Sequence, residues 1–442
     1  MVKKATNLKE LRNAFLPDPL TTDKSEYYVD IYSKQIEKLR ISILTSESQR
    51  ETFYIAGQIG TGKSTALNFF PDESIDAAYK IIHINYKDLI DPEDVDFIDV
   101  ALLFCYELCK ENKTLEGKFL KELELLHKVK EKQLERLHTS ESIHKLELTE
   151  KVDVKVGFKF WDILQSGVSF LQSYRYNKNN RHVTREIFRV REDAVIDLAN
   201  KIITDYYQEY GSEKKLLVIF DDLEKIRNLA AIKDIFTENS YKFTRIECKK
   251  IIAFPFILTG QFGGDTYNAP IVFNIKLNPN PISSSSPSAQ EKQIDHNKQL
   301  FFSLVHKRCG EDQQLLSEDA ISYAIEKSGG LLRQFLTILR EAALLSLVHK
   351  GSTVSLEDVK KACLEQRAYL SQAIMGAKKI NLLATIQKTH KSDTLDAEEL
   401  HAALLANQVL VYYNGDAWYD VNPISAETVK NYTSEPLQGD DT

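Results

Sequence analysis

Five short apolar runs, each bounded by polar residues, predict five buried strands. They are TFYIA (52–56), IIHINY (81–86), LLVIF (216–220), IIAFPFIL (251–258) and IVFNI (271–275). Apolar residues also recur at helical spacing, most clearly over 97–108, 193–210 and 298–370. Strands that alternate with helices favour an α/β fold built on a parallel sheet.

Charged residues dominate the stretch from 111 to 191, which interrupts this alternation. Residues 115–138 predict a solvated helix or a short coiled-coil arm, and we interpret 111–191 as a helical insertion. Its last part, Arg175–Arg191, is a concentrated basic patch. Two interpretations of this patch stay open: a solvated helix face, or a surface that grips a phosphate backbone or an acidic partner.

The C-terminal part of the chain carries clear helix starts and one strong turn signal. Ser317 and Ser355 each begin a capping box, SEDA and SLED, which predicts that helices start there. The pattern QVLVYY-NG-DAWYDV predicts a β-hairpin around Asn414-Gly415. Helices followed by a hairpin over 355–425 outline a winged-helix-like domain.

Composition narrows the class of protein. The 442 residues carry 57 Lys and Arg against 64 Asp and Glu, and the net charge of −7 argues against a general nucleic-acid coat. The five cysteines include no CxxC pair, which argues against a zinc site. Their odd number and spacing favour a reducing, cytoplasmic compartment. The chain has no apolar signal core and no apolar run long enough to span a bilayer, so we expect no membrane segment.

The strongest motif is GQIGTGKS, Gly57–Ser64, which matches the pattern GxxxxGK[ST] of phosphate-binding loops. A predicted strand precedes it and an apolar helix follows it. Glycines let backbone N–H groups curl around phosphates without Cβ clashes, and the helix N-terminus favours an anion. We expect Lys63 to neutralise the β and γ phosphates and Ser64 to ligate Mg²⁺. The predicted nucleotide contacts are Gly57, Gln58, Ile59, Gly60, Thr61, Gly62, Lys63, Ser64 and Thr65.

The run LLVIFDD, 216–222, predicts the acidic strand that such a loop needs. It carries Asp221 to the C-terminal edge of the sheet, where the ligands of open α/β sheets bind. We predict that Asp221 holds Mg²⁺ through water and that Asp222 is the general base that orients the attacking water, with Glu224 as a weaker candidate. Because no NKxD motif occurs, the expected nucleotide is ATP rather than GTP. A further strand between the loop and LLVIFDD suits the parallel strand order 5-1-4-3-2.

GQIGTGKS and VIFDDLEK, together with IEKSGGLLRQFLTILREAALLS (325–346), resemble the AAA+ and STAND-like ATPases. The resemblance is strongest to the branch related to archaeal origin-binding initiators and prokaryotic conflict-system ATPases. It implies an ATP-hydrolysing core followed by a helical lid, in which Arg333 reaches the γ-phosphate as sensor 2. It also implies a polar sensor 1 at the end of the fourth strand, for which Thr259 and Gln261 are both candidates.

The resemblance and the composition together set the expected domains. These are an N-terminal leader and helix (1–50), a P-loop ATPase core (51–285), a helical lid (290–352), a winged-helix-like domain (353–428) and a disordered tail (429–442). One stretch departs from ring-forming members of the family, because GQFGGDTYNAP (260–270) has no Lys or Arg where an arginine finger is usual. Either Arg308 or an arginine of the basic patch substitutes, or the protein is a slow nucleotide switch.

The predicted function is that of a Mg²⁺-dependent ATPase that acts as a switch or assembly subunit with a protein partner, in prokaryotic antiviral defence. Acidic residues outnumber basic ones over 355–442, and the expected recognition helix, DAEELHAALLAN (396–407), has no Lys or Arg. That composition favours protein contact over DNA contact. The partner would bind the insertion 111–191 or the winged-helix end, and a homo-oligomer is compatible with both. The alternative is a DNA-engaged initiator, loader or transposition-type ATPase that contacts nucleic acid through Arg175–Arg191.

Overall fold

A five-stranded parallel sheet is the framework of an α/β fold. The computed structural model describes residues 4–89, 91–139, 174, 178–189, 193–261, 270–281, 287–310, 314–373, 377–392, 395–414 and 416–434. Its sheet strands are β1 (Thr52–Ala56), β2 (Tyr79–Asn85), β3 (Lys215–Asp221), β4 (Lys249–Phe254) and β5 (Ile271–Val272). The strand order β2-β3-β4-β1-β5 confirms the predicted order 5-1-4-3-2.

Two strands are shorter than the apolar pattern predicts. The run 251–258 leaves the sheet after Phe254, because Pro255 has no N–H to donate to the ladder, and Phe256–Gln261 forms a 3-10 helix. The run 271–275 pairs with β1 only through Ile271 and Val272. An apolar run marks burial, and burial continues beyond the paired residues, since Phe273 and Ile275 are both buried.

Helices make up most of the remaining described chain. They are α1 (Leu8–Ala14), α2 (Ser33–Thr45), α3 (Lys63–Asn68), α4 (Glu73–Ala78), α5 (Phe97–Cys109), α6 (Lys113–Thr139), α7 (Lys178–Arg189), α8 (Ala194–Tyr210), α9 (Leu229–Lys233), α10 (Ser240–Phe243), α11 (Pro287–Arg308), α12 (Glu318–Ser328), α13 (Leu332–Val348), α14 (Leu356–Ala373), α15 (Ala377–Thr389), α16 (Ala397–Leu405) and α17 (Ala426–Ser434). The antiparallel hairpin β6 (Val409–Asn414) and β7 (Asp416–Val421) lies between α16 and α17. Among the described residues, none of these helices is long and apolar enough to cross a membrane.

The chain divides into two units. The first contains Met1–Ser42, Ile55–Asp72 and Pro255–Thr442, and the second contains Ile43–Tyr54 and Glu73–Phe254. In the second unit α5 packs against α8 and α6, and its run from Val100 to Cys109 is buried. The predicted insertion contributes α6 and α7 to this unit, while 140–173 lies outside the described residues.

In the first unit, the N-terminal segment that the sequence marked as a polar leader is part of the core. Helix α1 packs against α13 through the buried residues Leu8, Leu11 and Ala14. The Ala5 N–H donates to the Arg308 carbonyl oxygen at 2.8 Å. The three apolar residues form one face of this short helix, and α13, which is more than 300 residues away in sequence, covers that face.

The C-terminal end of the first unit follows the predicted order of helices and hairpin. Ser317 caps α12 through the Ala320 N–H, and Ser355 and Asp358 form a reciprocal capping box at the start of α14. Helices α15, α16 and α17 pack with the hairpin β6–β7, and we call these elements the hairpin module. The expected disordered tail is wrong for 429–434, because α17 continues to Ser434 and buries Val429; residues 435–442 lie outside the described part.

All five cysteines are buried with free thiols. Cys105, Cys109 and Cys248 belong to the second unit, and Cys309 and Cys363 to the first. Burial raises the pKa of each thiol.

Candidate functional site

The phosphate loop joins β1 to α3 and bends at its glycines. Gly60 and Gly62 have φ values of 93° and 96°, in the left-handed region that side chains with a Cβ seldom adopt. A Cβ added at Gly57 would lie 2.5 Å from the Phe273 carbonyl oxygen. Two of the motif's glycines therefore allow a positive φ, and the third allows the close approach of the Phe273 backbone.

The Lys63 ammonium lies over this loop. Lys63 is 4% exposed, and its Nζ donates to the carbonyl oxygens of Gly57 at 2.7 Å and Gln58 at 3.2 Å. The Thr61 hydroxyl donates to the same Gln58 oxygen at 2.9 Å. A cation is thus held at a loop that bends at its glycines, and a loop of this kind with a nearby cation suits an anion.

The start of α13 also contacts the loop. The Arg333 N–H donates to the Gly60 carbonyl oxygen at 3.0 Å. A Cβ on Gly60 would lie 3.0 Å from the Arg333 Cβ, and one on Gly62 would lie 2.7 Å from a Leu332 methyl. The structure therefore brings the predicted sensor Arg333 to the phosphate loop, within one unit.

Other groups at the loop are ones that the sequence did not reveal. The Tyr32 hydroxyl donates to the Thr61 carbonyl oxygen at 2.7 Å. The Leu20 N–H donates to the Thr65 hydroxyl at 3.1 Å, so this predicted nucleotide contact already serves the N-terminal segment. No sequence motif marks Leu20 or Tyr32, because their role depends on the folded N-terminal segment lying against the phosphate loop.

Gln58 turns its side chain toward the hairpin module. Its Nε2 donates to the carbonyl oxygens of Leu404 at 3.2 Å and Val409 at 2.6 Å. Its Oε1 accepts from the Val411 N–H at 3.2 Å. Since Gln58 is buried, these bonds occupy its amide group, and only its backbone can serve a ligand.

The acidic residues lie in the second unit, at the C-terminal end of β3. Carboxylate oxygens of Asp221, Asp222 and Glu224 lie within 4.8 Å of one another, and all three residues are buried. Oxygen ligands of this kind are those that Mg²⁺ takes, so the donor set fits the expected cation. The His83 Nε2 lies 3.4 Å from Asp221 Oδ2, a neighbour that the scattered histidines of the sequence did not indicate.

Asp222 has a distinctive environment. Its φ is 72°, its N–H donates to Asp221 Oδ1 at 2.8 Å, and its carboxylate forms an ion pair with Lys225. Burial raises the pKa of Asp222, and the charge of Asp221 adds to this rise, while Lys225 opposes it. A carboxylate with a raised pKa is a stronger base, which suits the predicted role.

The two candidates for sensor 1 lie past the end of the fourth strand. Thr259 is part of the 3-10 helix Phe256–Gln261, and its hydroxyl donates to the Phe256 carbonyl oxygen at 2.8 Å. Gln261 is the last residue of the same helix. The expectation that one of them ends β4 is wrong in position, because the strand stops before Pro255; their role stays a prediction.

Arg308 does not serve as an arginine finger here. Its guanidinium is buried in its own unit and donates to the carbonyl oxygens of Ala14 at 3.1 Å, Tyr27 at 3.2 Å and Leu304 at 3.1 Å. It also lies over the Tyr27 ring. A guanidinium that holds three main-chain carbonyls ties the N-terminal segment to α11.

Of the four Lys and Arg residues of the basic patch that the structure describes, Arg181 and Arg185 are buried and Lys178 and Arg189 are exposed. The Arg185 guanidinium donates to Asp94 at 2.6 Å and Asp99 at 2.5 Å, and Arg181 donates to Asp94 at 2.9 Å. Both arginines are buried, so the prediction that they face solvent or grip a phosphate backbone is wrong. Arg189 is exposed, and Arg175 and Arg191 lie outside the described residues. The counter-charges, Asp94 before α5 and Asp99 in its first turn, come from more than 80 residues earlier in the chain.

The sheet order, the phosphate loop and the acidic strand together define a P-loop NTPase fold. No family model matches the chain, and no curated protein matches it by sequence.

Solved structures that the chain is similar to include Drosophila ORC bound to DNA, at 11% identity, a TM-score of 0.43, and coverage of 98% of this chain and 94% of the other. A Walker-type ATPase of Pyrococcus abyssi has 12% identity, a TM-score of 0.43, and coverage of 94% and 99%. The Aeropyrum pernix ORC2 protein, in ADPNP–ADP complexes, has 10% identity, a TM-score of 0.39, and coverage of 98% and 100%. Similarity at this level carries no inference about function, which has to come from the chain's own residues.

Proposed function

We propose that this protein is a Mg²⁺-dependent ATPase that works as a nucleotide-controlled switch. The observation that carries the proposal is the phosphate loop, in which Lys63 is held over a glycine-bent backbone and α13 contacts Gly60. This arrangement has the cation, the backbone and the adjoining helix that phosphate binding requires.

Each predicted residue receives a role under this proposal. The backbone of 57–62 and the start of α3 bind the phosphates, and Lys63 neutralises their charge. Ser64 and Asp221 hold Mg²⁺, which supplies charge neutralisation at the phosphates. Asp222 orients the attacking water, and Glu224 is the weaker candidate for that role.

Arg333 and a sensor on the 3-10 helix report the γ-phosphate. The guanidinium of Arg333 starts from a helix whose backbone already contacts Gly60, so a short reach brings it to a bound phosphate. Either Thr259 or Gln261 supplies the second polar contact. A lid that gains or loses these contacts is a two-state element that a partner can recognise.

We propose that the partner is a protein. The first turn of α16 carries the exposed Glu398 and the partly exposed Glu399, and these charges repel a DNA backbone. Burial of Arg181 and Arg185 removes two of the cations that would have favoured DNA. The setting in antiviral defence rests on the sequence resemblance alone, and the proposed cytoplasmic location rests on the cysteine pattern.

One observation favours the DNA-engaged alternative. Lys378 and Lys388 on α15, and Lys391 just after it, are exposed, and 377–392 contains no acidic residue. These lysines could neutralise phosphates that α16 cannot approach. An initiator or loader would then contact DNA through α15 rather than through the basic patch.

Steady-state ATP turnover by the purified chain, with and without duplex and single-stranded DNA, separates these functions. The switch predicts slow turnover that DNA leaves unchanged and that Lys63→Ala abolishes. Stimulation by DNA that is lost in a Lys378→Ala/Lys388→Ala variant would establish the alternative. ATP binding that is equal in the wild type and Lys63→Ala would refute the site.

A further inference from the structure

Gln58 joins two sets of hydrogen bonds that serve different parts of the first unit. Its backbone carbonyl accepts from the Lys63 ammonium at 3.2 Å, the Thr61 N–H at 3.3 Å and the Thr61 hydroxyl at 2.9 Å, all within the phosphate loop. Its side-chain amide bonds only to the hairpin module among the contacts described above. One residue therefore carries the loop's internal bonds on one end and the hairpin on the other.

The side-chain amide occupies a strand edge. The Tyr419 N–H donates to the His390 carbonyl at 3.1 Å, so the Val411–Tyr419 pair does not bond across the hairpin and the Val411 N–H faces away from β7. Gln58 takes the Val409 carbonyl and the Val411 N–H on that side. A carboxamide offers one acceptor and two donors, so here it replaces the peptide group of a neighbouring strand.

A second amide continues along the same edge. Asn274 Nδ2 donates to the Val411 carbonyl oxygen at 2.7 Å. Asn274 follows β5 and is outside the phosphate loop. The two amides contact the same strand, but only Gln58 also belongs to the loop. This difference makes Asn274 a matched control for Gln58.

We propose that Gln58 is a positioning residue through which nucleotide at the phosphate loop and docking of the hairpin module strengthen each other. The proposal rests on the nucleotide binding proposed above. A ligand that immobilises the loop also immobilises the Gln58 amide, and the docked edge of β6 holds the loop in its glycine-bent form. Such coupling is reciprocal, because each event changes the other's equilibrium by the same factor.

The sign of the coupling follows from the geometry. Gly60 and Gly62 already have left-handed φ values with the hairpin docked, so the docked form has the loop shape that binds phosphate. Pre-organisation of this kind improves affinity, because the ligand does not bear the cost of ordering the loop. We expect coupling of about tenfold, within the usual range for linked sites.

Amide hydrogen exchange over 409–414, with and without a non-hydrolysable ATP analogue and Mg²⁺, tests the proposal. In the wild type, the analogue should slow exchange of the Val411 N–H by about tenfold. In Gln58→Leu, exchange at Val411 should be fast and independent of the analogue, and the Kd for the analogue should rise about tenfold. In Asn274→Ala, the response of Val411 to the analogue should remain and the Kd should change by less than about twofold.

These outcomes separate the coupling from the proposed function. If the wild type binds the analogue in a Lys63-dependent way but exchange at Val411 does not respond, the coupling is overturned and the nucleotide site stands. An unchanged Kd in a folded Gln58→Leu protein overturns it equally. If the wild type does not bind the analogue, the proposed function fails and the coupling fails with it. The wild-type comparison needs no variant, so a Gln58→Leu protein that misfolds would leave the test decisive.

Discussion

The backbone N–H of Arg333 donates to the carbonyl oxygen of Gly60 at 3.0 Å, which joins the first turn of α13 to the phosphate loop. This contact does not depend on the arginine side chain, so backbone and guanidinium can be tested separately. Arg333→Ala keeps the N–H, so ATP binding should be preserved. Turnover should slow by about 10- to 100-fold, because the transition state loses one charge-stabilising group. This change corresponds to a rise of about 1.4 to 2.7 kcal/mol in the activation free energy.

Gly60→Ala should impair binding itself. A Cβ at this position would lie 3.0 Å from the Arg333 Cβ, and the φ of 93° would strain any residue other than glycine. We expect the phosphate-binding conformation of the loop to become about 1–2 kcal/mol less favourable, which lowers ATP affinity by roughly tenfold or more. Isothermal titration of ATP into Gly60→Ala and Arg333→Ala checks both expectations. Equal ATP affinity in Gly60→Ala and the wild type would contradict the loop conformation described here.

Asp221→Asn should raise the Mg²⁺ concentration needed for turnover. The substitution removes a charge from the buried group of Asp221, Asp222 and Glu224, whose carboxylate oxygens lie within 4.8 Å of one another. Asp222→Asn should instead slow turnover and leave the Mg²⁺ concentration for half-maximal turnover nearly unchanged, because the proposed role of Asp222 is to orient the attacking water. Mg²⁺ titrations of ATP turnover distinguish the two, and reversal of the two effects would exchange their assigned roles.

Asp222→Asn should also change the pH dependence of stability. The pKa of Asp222 is raised above 3.8, mainly by burial, so the folded state holds its proton more tightly than the unfolded state does. The wild type therefore loses stability as pH rises from about 3.8 through the raised value, and the neutral amide avoids this loss. The free energy of unfolding of Asp222→Asn relative to the wild type should increase over this window. Denaturant titrations at several pH values measure it, and a flat difference would contradict the raised pKa.

Arg185→Leu should strongly destabilise the second unit. Arg185 is buried and pairs with Asp94 and Asp99, so its removal takes the guanidinium away from the buried Asp99 carboxylate, while Asp94 is partly exposed and keeps Arg181. Such losses cost about 3–5 kcal/mol. Arg189→Leu is the matched control on the same helix, since the Arg189 side chain is 56% exposed and should contribute about 0.5 kcal/mol or less. Equal free energies of unfolding for the two variants would show that the patch is a solvated face after all.

The predictions that succeeded depend on short stretches of sequence. The phosphate loop, the acidic strand and the helix starts at Ser317 and Ser355 are each defined within about ten residues, and the structure forms them as predicted. Only Ser355 completes its capping box, because the residue three positions after Ser317 is Ala320 and the Ser317 N–H donates to the Val354 carbonyl oxygen. The sheet order also followed, because it depends on how many strands lie between two motifs.

Two of the predictions that failed concern residues whose partners are remote in sequence. Arg185 looks like a surface cation until Asp94 and the first turn of α5, which carries Asp99, fold against it. Arg308 likewise gains three carbonyl partners, two of them from the first 30 residues. A basic side chain in a polar stretch gives the same signal whether it faces water or a buried carboxylate, so charge patterning alone could not separate the two.

The buried thiols give each unit its own chemical reporter. A thiol-reactive dye attacks the thiolate, which burial and a raised pKa suppress at all five positions in the folded protein. Labelling under native conditions must therefore wait for an opening fluctuation. Because Cys105, Cys109 and Cys248 lie in one unit and Cys309 and Cys363 in the other, the pattern of labelled sites shows which unit has opened and how often.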